Sequence, residues 1–323
     1  MICTQILRPV LRRAFLATFI LAAGISIATA QEASPDSFTF TTFTVPNAVT
    51  LSVESINDSG TASGYYSDAA GDVISFLRAY SGTQVTYQDP LDTVSPTFTE
   101  GGQINNNGVV VGEYLNTAAG TYEGYFYKTA TKTFGSYQVP GQPQFTTTSL
   151  AGINTAGNVC GYVFPPPYTA YSAFVESAGT VTMFSVEGSA ATACLGLNDA
   201  GTAVGFYVDS AGVSHGWMRT SSGTVTTIDV PGAATTPGTA PCIQGPVAGS
   251  LVLGVNNSGY VSGHYWDSAY NEHGFIRTPA GKFVQINVPG AYQTGGGGLN
   301  DKLVMVGHYE DSSCNYSGFV AIP

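Results

Sequence analysis

The 323-residue chain carries 21 acidic against 10 basic side chains, a net charge of −11, and no basic cluster. Such a chain repels phosphate backbones and anionic lipid heads, which argues against nucleic acid as a partner. Charged residues make up 10%, yet 43% are hydrophobic and 40 are glycines, the balance of turn-rich β-structure with an adequate core rather than of a disordered chain.

Residues 1–30 read as a cleaved secretory signal peptide. Arg8, Arg12 and Arg13 form a basic start, Ala14 to Ile27 is a largely apolar run too short to span a bilayer, and Ala28-Thr29-Ala30 offers small residues before Gln31. Arg12-Arg13-Ala14-Phe15-Leu16 resembles a twin-arginine export signal, and an ordinary secretory start fits the same residues. Removing the signal takes away three arginines and no acids, leaving 7 basic against 21 acidic residues. No later stretch is apolar enough for a membrane span. Residues 31–36 form a polar linker, and 37–323 is read as a single domain in a secreted, periplasmic or extracellular, monomeric protein.

Ser37 to Pro46 alternates Phe or Val with Thr, the pattern of a half-buried strand. It has no unit of its own. It resembles the last strand of the units that follow, at Thr133 to Pro140, Thr180 to Val186, Thr224 to Pro231 and Lys282 to Pro289. Those units are anchored on Asn57, Asn105, Asn154, Asn198, Asn256 and Asn300, in steps of 48, 49, 44, 58 and 44 residues. Four short β-type runs per unit at this period predict an all-β fold, a six-bladed β-propeller of four-stranded blades. The sixth unit ends after its third strand, so the N-terminal strand is expected to complete the last blade and remove an open sheet edge.

Each anchoring Asn opens a hairpin turn with Gly three residues on, as in Asn57-Asp-Ser-Gly60, except in the sixth unit, where Leu303 replaces Gly. Asn can bond the backbone two residues on and Gly accepts φ > 0, so turn chemistry accounts for the repeated Asn. The second strands carry Gly64, Gly112, Gly161, Gly205, Gly263 and Gly307, marking close backbone approach or a bulge. The third strands carry Phe76, Tyr125, Phe174, Trp217, Phe275 and Phe319, read as core between blades. Asp68, Asp209, Asp267 and Asp311 mark turns between the second and third strands, with calcium as a possible second use. The mature chain keeps Cys160, Cys194, Cys242 and Cys314, an even number that favours disulfides in an exported protein. Three pairings are open, and adjacency of blades favours 160–194 with 242–314. Pro165-Pro-Pro167 forms a stiff loop, and the connection from Ala233 to Ser250 lengthens the fourth step.

The recurring Gly-(Ile/Leu/Val)-Asn-x-x-Gly-x-x-x-Gly-x-Tyr, followed by His215-Gly216-Trp217 or His273-Gly274-Phe275, resembles the HAF-type probable extracellular repeat family of bacteria. The element is degenerate at Ser172-Ala173-Phe174, Glu123-Gly124-Tyr125, Ser317-Gly318-Phe319 and Ile74-Ser75-Phe76. The resemblance covers essentially the whole mature chain. It implies export and a β-repeat architecture, but no reaction, ligand or site residue.

The four histidines fall on two repeat positions. His215 and His273 sit in the repeat motif and read as structural. His264 and His308 follow the second-strand Gly in adjacent units, where they could approach each other and ligate a metal. Glu113 occupies the equivalent place in the second unit, and Tyr265 and Tyr309 follow the two histidines; these five are the candidate ligand-binding residues, with no third metal ligand evident. No G-x-S-x-G, H-E-x-x-H, P-loop or dinucleotide fingerprint is present, and no catalytic residue or cofactor is assigned. Glu54, Asp92, Glu100, Glu113 and Glu187 are the carboxylates available for acid–base chemistry. Uncharged loops rich in Tyr, Ser and Thr suit a binding or surface-interaction module for polysaccharide or protein. The alternatives are a carbohydrate-active hydrolase or lyase on the same scaffold, and a structural envelope protein.

Overall fold

The computed structural model describes residues 37–243 and 245–323; the leader at 1–30 and the linker at 31–36 lie outside them. The described residues are strands and turns, with no helix. Five antiparallel four-strand runs follow the chain. The first is Thr50–Ile56, Ala62–Ser67, Val73–Arg78 and Gln84–Tyr87, and the second Thr99–Ile104, Val109–Asn116, Thr121–Lys128 and Thr133–Tyr137. The third is Thr147–Ile153, Val159–Phe164, Ser172–Ser177 and Thr180–Phe184, and the fourth Ala191–Leu197, Ala203–Val208, Ser214–Arg219 and Val225–Ile228. The fifth is Gly249–Val255, Val261–Trp266, Glu272–Arg277 and Phe283–Ile286, joined to the fourth by one parallel bridge, Ser214 to Gly249. The sixth sheet combines Gln293–Leu299, Met305–Glu310 and Tyr316–Ile322 with Thr39–Phe43 from the other end of the chain, in register from Thr39↔Ile322 to Phe43↔Gly318.

The six first strands lie innermost, each touching the next, and that of sheet six touches that of sheet one. The anchoring asparagines lock this cycle. Asn105 Oδ1 accepts from the N–H groups of Asn107 and Val109, both at 3.0 Å, which sets the local turn. Its Nδ2 donates to the carbonyl of Asn154 at 2.9 Å, in the next sheet. The same side-chain bond runs Asn57 to Asn105, Asn154 to Asn198, Asn198 to Asn256, Asn256 to Asn300, and finally Asn300 to Asn57 at 3.1 Å across 243 residues. One residue type therefore makes the hairpin and links it to its neighbour.

The second-strand glycines mark close approach. A Cβ at Gly205 would stand 2.0 Å from the Ala193 carbonyl oxygen and 2.9 Å from the Trp217 ring. The bulge lies on the partner strand: every first strand shifts register once, as between Cys194 and Gly196. The third-strand aromatics Phe76, Tyr125, Phe174, Trp217, Phe275 and Phe319 are all buried between sheets, each worth about 1.5–3 kcal/mol of apolar transfer. Cys160–Cys194 joins sheets three and four, and Cys242–Cys314 ties the long 229–248 connection to the turn after Met305–Glu310.

Candidate functional site

Charge is sorted along the axis. Arg78, Lys128, Arg219 and Arg277 close third strands, Lys132 and Lys282 lie in the turns that follow, and Lys302 sits in the first hairpin turn of sheet six. All seven basic side chains of the described residues are thus at the end that carries the Asn turns. The opposite end, where the long connections run, holds most of the carboxylates.

Two small chambers share the axis. The one at the Asn end, about 60 Å³, is lined by the six asparagines with Asp58, Asn106, Thr155, Asp199, Asn257 and Asp301. Those outer groups are tied to one another, for example by the Asn257 amide N–H donating to Asp301 Oδ1 at 2.7 Å. Gln103 separates the chambers: its Oε1 accepts from Ile153 N at 2.8 Å and Leu197 N at 3.3 Å, spanning sheets two to four. Beyond it lies a chamber of about 70 Å³ lined by Glu54, Glu100 and Glu113, with Ser149, Tyr162 and Leu253 among the remaining walls. Glu100 and Glu113 stand opposite each other on paired strands, an arrangement that like charges disfavour. Sites for drug-sized ligands run about 300–1,000 Å³, well above the volume of this chamber.

A second cluster lies between sheets five and six. His264 Nδ1–H donates to the Gly296 carbonyl at 3.1 Å, and its Nε2 is 3.5 Å from Glu272 Oε1. His308 Nε2 is 3.8 Å from the other oxygen, Glu272 Oε2. Glu310 completes the group, with donor atoms of Glu272, His308 and Glu310 all within 4.8 Å of one another. Glu272 is 3% exposed and Glu310 fully buried. Burial pushes the Glu310 carboxyl up to about 8, the Glu272 charge adds to this, and the Tyr316 hydroxyl opposes it. Burial also lowers the His264 imidazole, against the pull of the Gly296 carbonyl and the Glu54 charge.

The structure therefore brings His264 and His308 onto one glutamate. Successive residues of a strand face opposite sides, which takes Tyr265 and Tyr309 away from the cluster. Tyr265 leans on His273, with ring centroids 5.2 Å apart, and Tyr309 packs against the core beside Phe319. Glu113 lies in the axial chamber instead. His215 and His273 are engaged locally, His215 with Asp229 at 2.8 Å and His273 with Asp267 at 3.2 Å. Asp68, Asp209, Asp267 and Asp311 accept backbone N–H groups two and four residues on, the same turn chemistry as the asparagines. Sequence reasoning missed Glu272 and Glu310, although strand alternation could have found them. Glu272 pairs with Trp266, two places from His264 on the same face, and Glu310 lies two places beyond His308.

It also missed an aromatic tract on the connection end of sheet three. Phe145 is 52% exposed and held at φ +65°. Its carbonyl accepts from Tyr168 Oη at 2.7 Å and Thr121 Oγ1 at 3.4 Å. From Tyr168 the rings continue through Phe164, Tyr171 and Tyr162, with centroid separations of 5.3, 5.9 and 5.5 Å, to the wall of the axial chamber. Leu91 and Val94, on the neighbouring connection, are also exposed.

No family model matches the chain, and no curated protein is similar to it. Among solved structures it is similar to a fungal lectin from Aleuria aurantia described as a six-bladed β-propeller with a fucose recognition mode. That likeness has 10% identity, covers 87% of this chain and 93% of that one, and has a TM-score of 0.46. AofleA from Arthrobotrys oligospora gives 9% identity, 88% and 82% coverage and a TM-score of 0.49. SapL1 lectin in complex with alpha methyl fucoside gives 12%, 82% and 90%, and 0.48. Among the described residues no helix is long and apolar enough to cross a membrane.

Proposed function

We propose that this chain is an exported carbohydrate-binding module, a closed six-bladed propeller of the HAF-repeat type sealed by its N-terminal strand, that holds neutral polysaccharide on its connection face. The observation that carries the reading is Phe145. A non-glycine residue in the left-handed region costs about 1 kcal/mol, and Phe145, 52% exposed, gains only part of the burial a core ring would. Yet two side-chain hydrogen bonds fix its carbonyl and present the ring to solvent. Exposed aromatic rings stack on the apolar faces of sugars, and a nearby hydroxyl such as that of Thr117 suits sugar hydroxyls. The acidic end repels anionic polymers, which favours a neutral glycan.

Phe145→Gly separates this role from a structural one. Glycine accepts φ +65° without strain, so the fold keeps its stability or gains up to about 1 kcal/mol. Glycan affinity falls about tenfold or more, equivalent to about 1.4 kcal/mol, read by calorimetric titration of the retained glycan. Unchanged affinity in the variant would sink the assignment. Hydrolase or lyase chemistry would use Glu54, Glu100 and Glu113, but their chamber of about 70 Å³ is well below the volume of sites for drug-sized ligands.

A further inference from the structure

The cluster between sheets five and six has the composition and dimensions of a metal site. Two buried carboxylates stand together, and all seven basic side chains of the described residues lie at the other end of the axis. Buried carboxylates without a compensating cation are costly. Neither Glu310 oxygen receives a hydrogen bond of good geometry, although the residue is fully buried.

The distances point the same way. The 3.5 and 3.8 Å contacts between the imidazoles and Glu272 are longer than good hydrogen bonds. Zinc bonds to His and Glu of about 2.0–2.1 Å in a tetrahedral arrangement place donors about 3.4 Å apart; among the proposed ligands His308 Nε2 and Glu272 Oε2 stand 3.8 Å apart, and all three donor atoms lie within 4.8 Å of one another. His264 donates Nδ1–H to the Gly296 carbonyl, which fixes its ring beside Glu272. The surroundings are also fixed. Gln293 accepts the Glu272 N–H at 3.1 Å and donates to the Pro241 carbonyl, beside the Cys242–Cys314 disulfide that pins the long connection to sheet six.

We propose that Glu272, His308 and Glu310 form a site for one divalent transition-metal ion, zinc first, between the fifth and sixth sheets, with His264 packed beside the other oxygen of Glu272. The ion neutralises the two carboxylates and joins the sheets at the point where the disulfide-pinned connection crosses them. Mixed imidazole and carboxylate donors select zinc, cobalt, iron or manganese over calcium, which prefers six to eight oxygens.

The test uses untagged protein, stripped with EDTA and equilibrated with zinc. One equivalent is expected to survive dialysis, by elemental analysis, and zinc at a hundredfold excess over Kd raises the unfolding midpoint by roughly 5–10 °C. Cobalt in its place is expected to give visible ligand-field absorption that disappears on chelation. His308→Gln and Glu310→Gln each weaken zinc binding tenfold or more, whereas His273→Gln leaves it unchanged. The proposal fails if the wild-type protein retains no zinc, if cobalt gives only the spectrum of the hydrated ion, or if both variants bind as the wild type does. The cobalt spectrum needs only the wild-type protein, so it decides the matter even if a variant does not fold.

Discussion

Asn256→Ala is expected to destabilise the protein by about 2–4 kcal/mol. Asn256 is 4% exposed, and its Oδ1 accepts from Ser258 N and Tyr260 N, both at 3.0 Å, while Nδ2 donates to the Asn300 carbonyl at 3.2 Å. Each such bond is worth roughly 0.5–1.5 kcal/mol net, and a buried partner left unpaired costs about 1–3 kcal/mol. Alanine removes all three at once and opens the ring of asparagines at one joint. Asn256→Asp keeps the two turn acceptors but loses the donor and brings a charge against a carbonyl, so it is expected to be at least as damaging. Asn107→Ala, which removes an exposed bond to the Thr155 carbonyl, stays within about 0.5 kcal/mol. Urea denaturation of the three variants checks this, and an Asn256→Ala midpoint equal to wild type would show that the ring does not close the fold.

Asp92→Asn is expected to stabilise the protein near neutral pH by about 1–3 kcal/mol and to flatten its pH dependence. Burial raises the Asp92 carboxyl to about 6, against hydrogen bonds from Phe98 N and Thr99 Oγ1, with the Asp89 charge adding to the rise. In the unfolded chain the group ionises near its ordinary 3.8, so between these values the folded protein binds more protons than the unfolded one. Its contribution is then fully present below about 3.8 and is lost as pH rises through about 6. Asparagine can still accept both hydrogen bonds and carries no charge. Thermal unfolding of both proteins from pH 4 to pH 7 reads the difference; parallel curves would refute it.

Legibility in the sequence followed range. The Asn-x-x-Gly turns, the alternating strands and the last-strand character of Ser37 to Pro46 are local signals, and the strands formed where those signals stood. Cysteine pairing was legible because adjacency of units favoured one of three connectivities, the one found. The asparagines read as turn residues only, since the bond from each Nδ2 to the next unit depends on sheets that meet 44 to 58 residues apart, or 243 at the seam. His264 and His308 were legible as neighbours from their equivalent repeat positions. Strand alternation puts Glu272 and Glu310 on the faces of His264 and His308, but their convergence depends on two sheets meeting, which a reading of each unit by itself does not show. Phe145 gave no signal, because an exposed aromatic in a connection reads as ordinary loop until its φ of +65° and its anchored carbonyl are known.

Glycan-array binding of the purified protein, run beside Phe145→Gly with every retained glycan checked for cleavage, tests the central claim most directly. Retention of a neutral glycan, uncleaved and lost in the variant, is the predicted result. Retention of no glycan, equal retention by the variant, or release of cleaved sugar would contradict a carbohydrate-binding face built around Phe145.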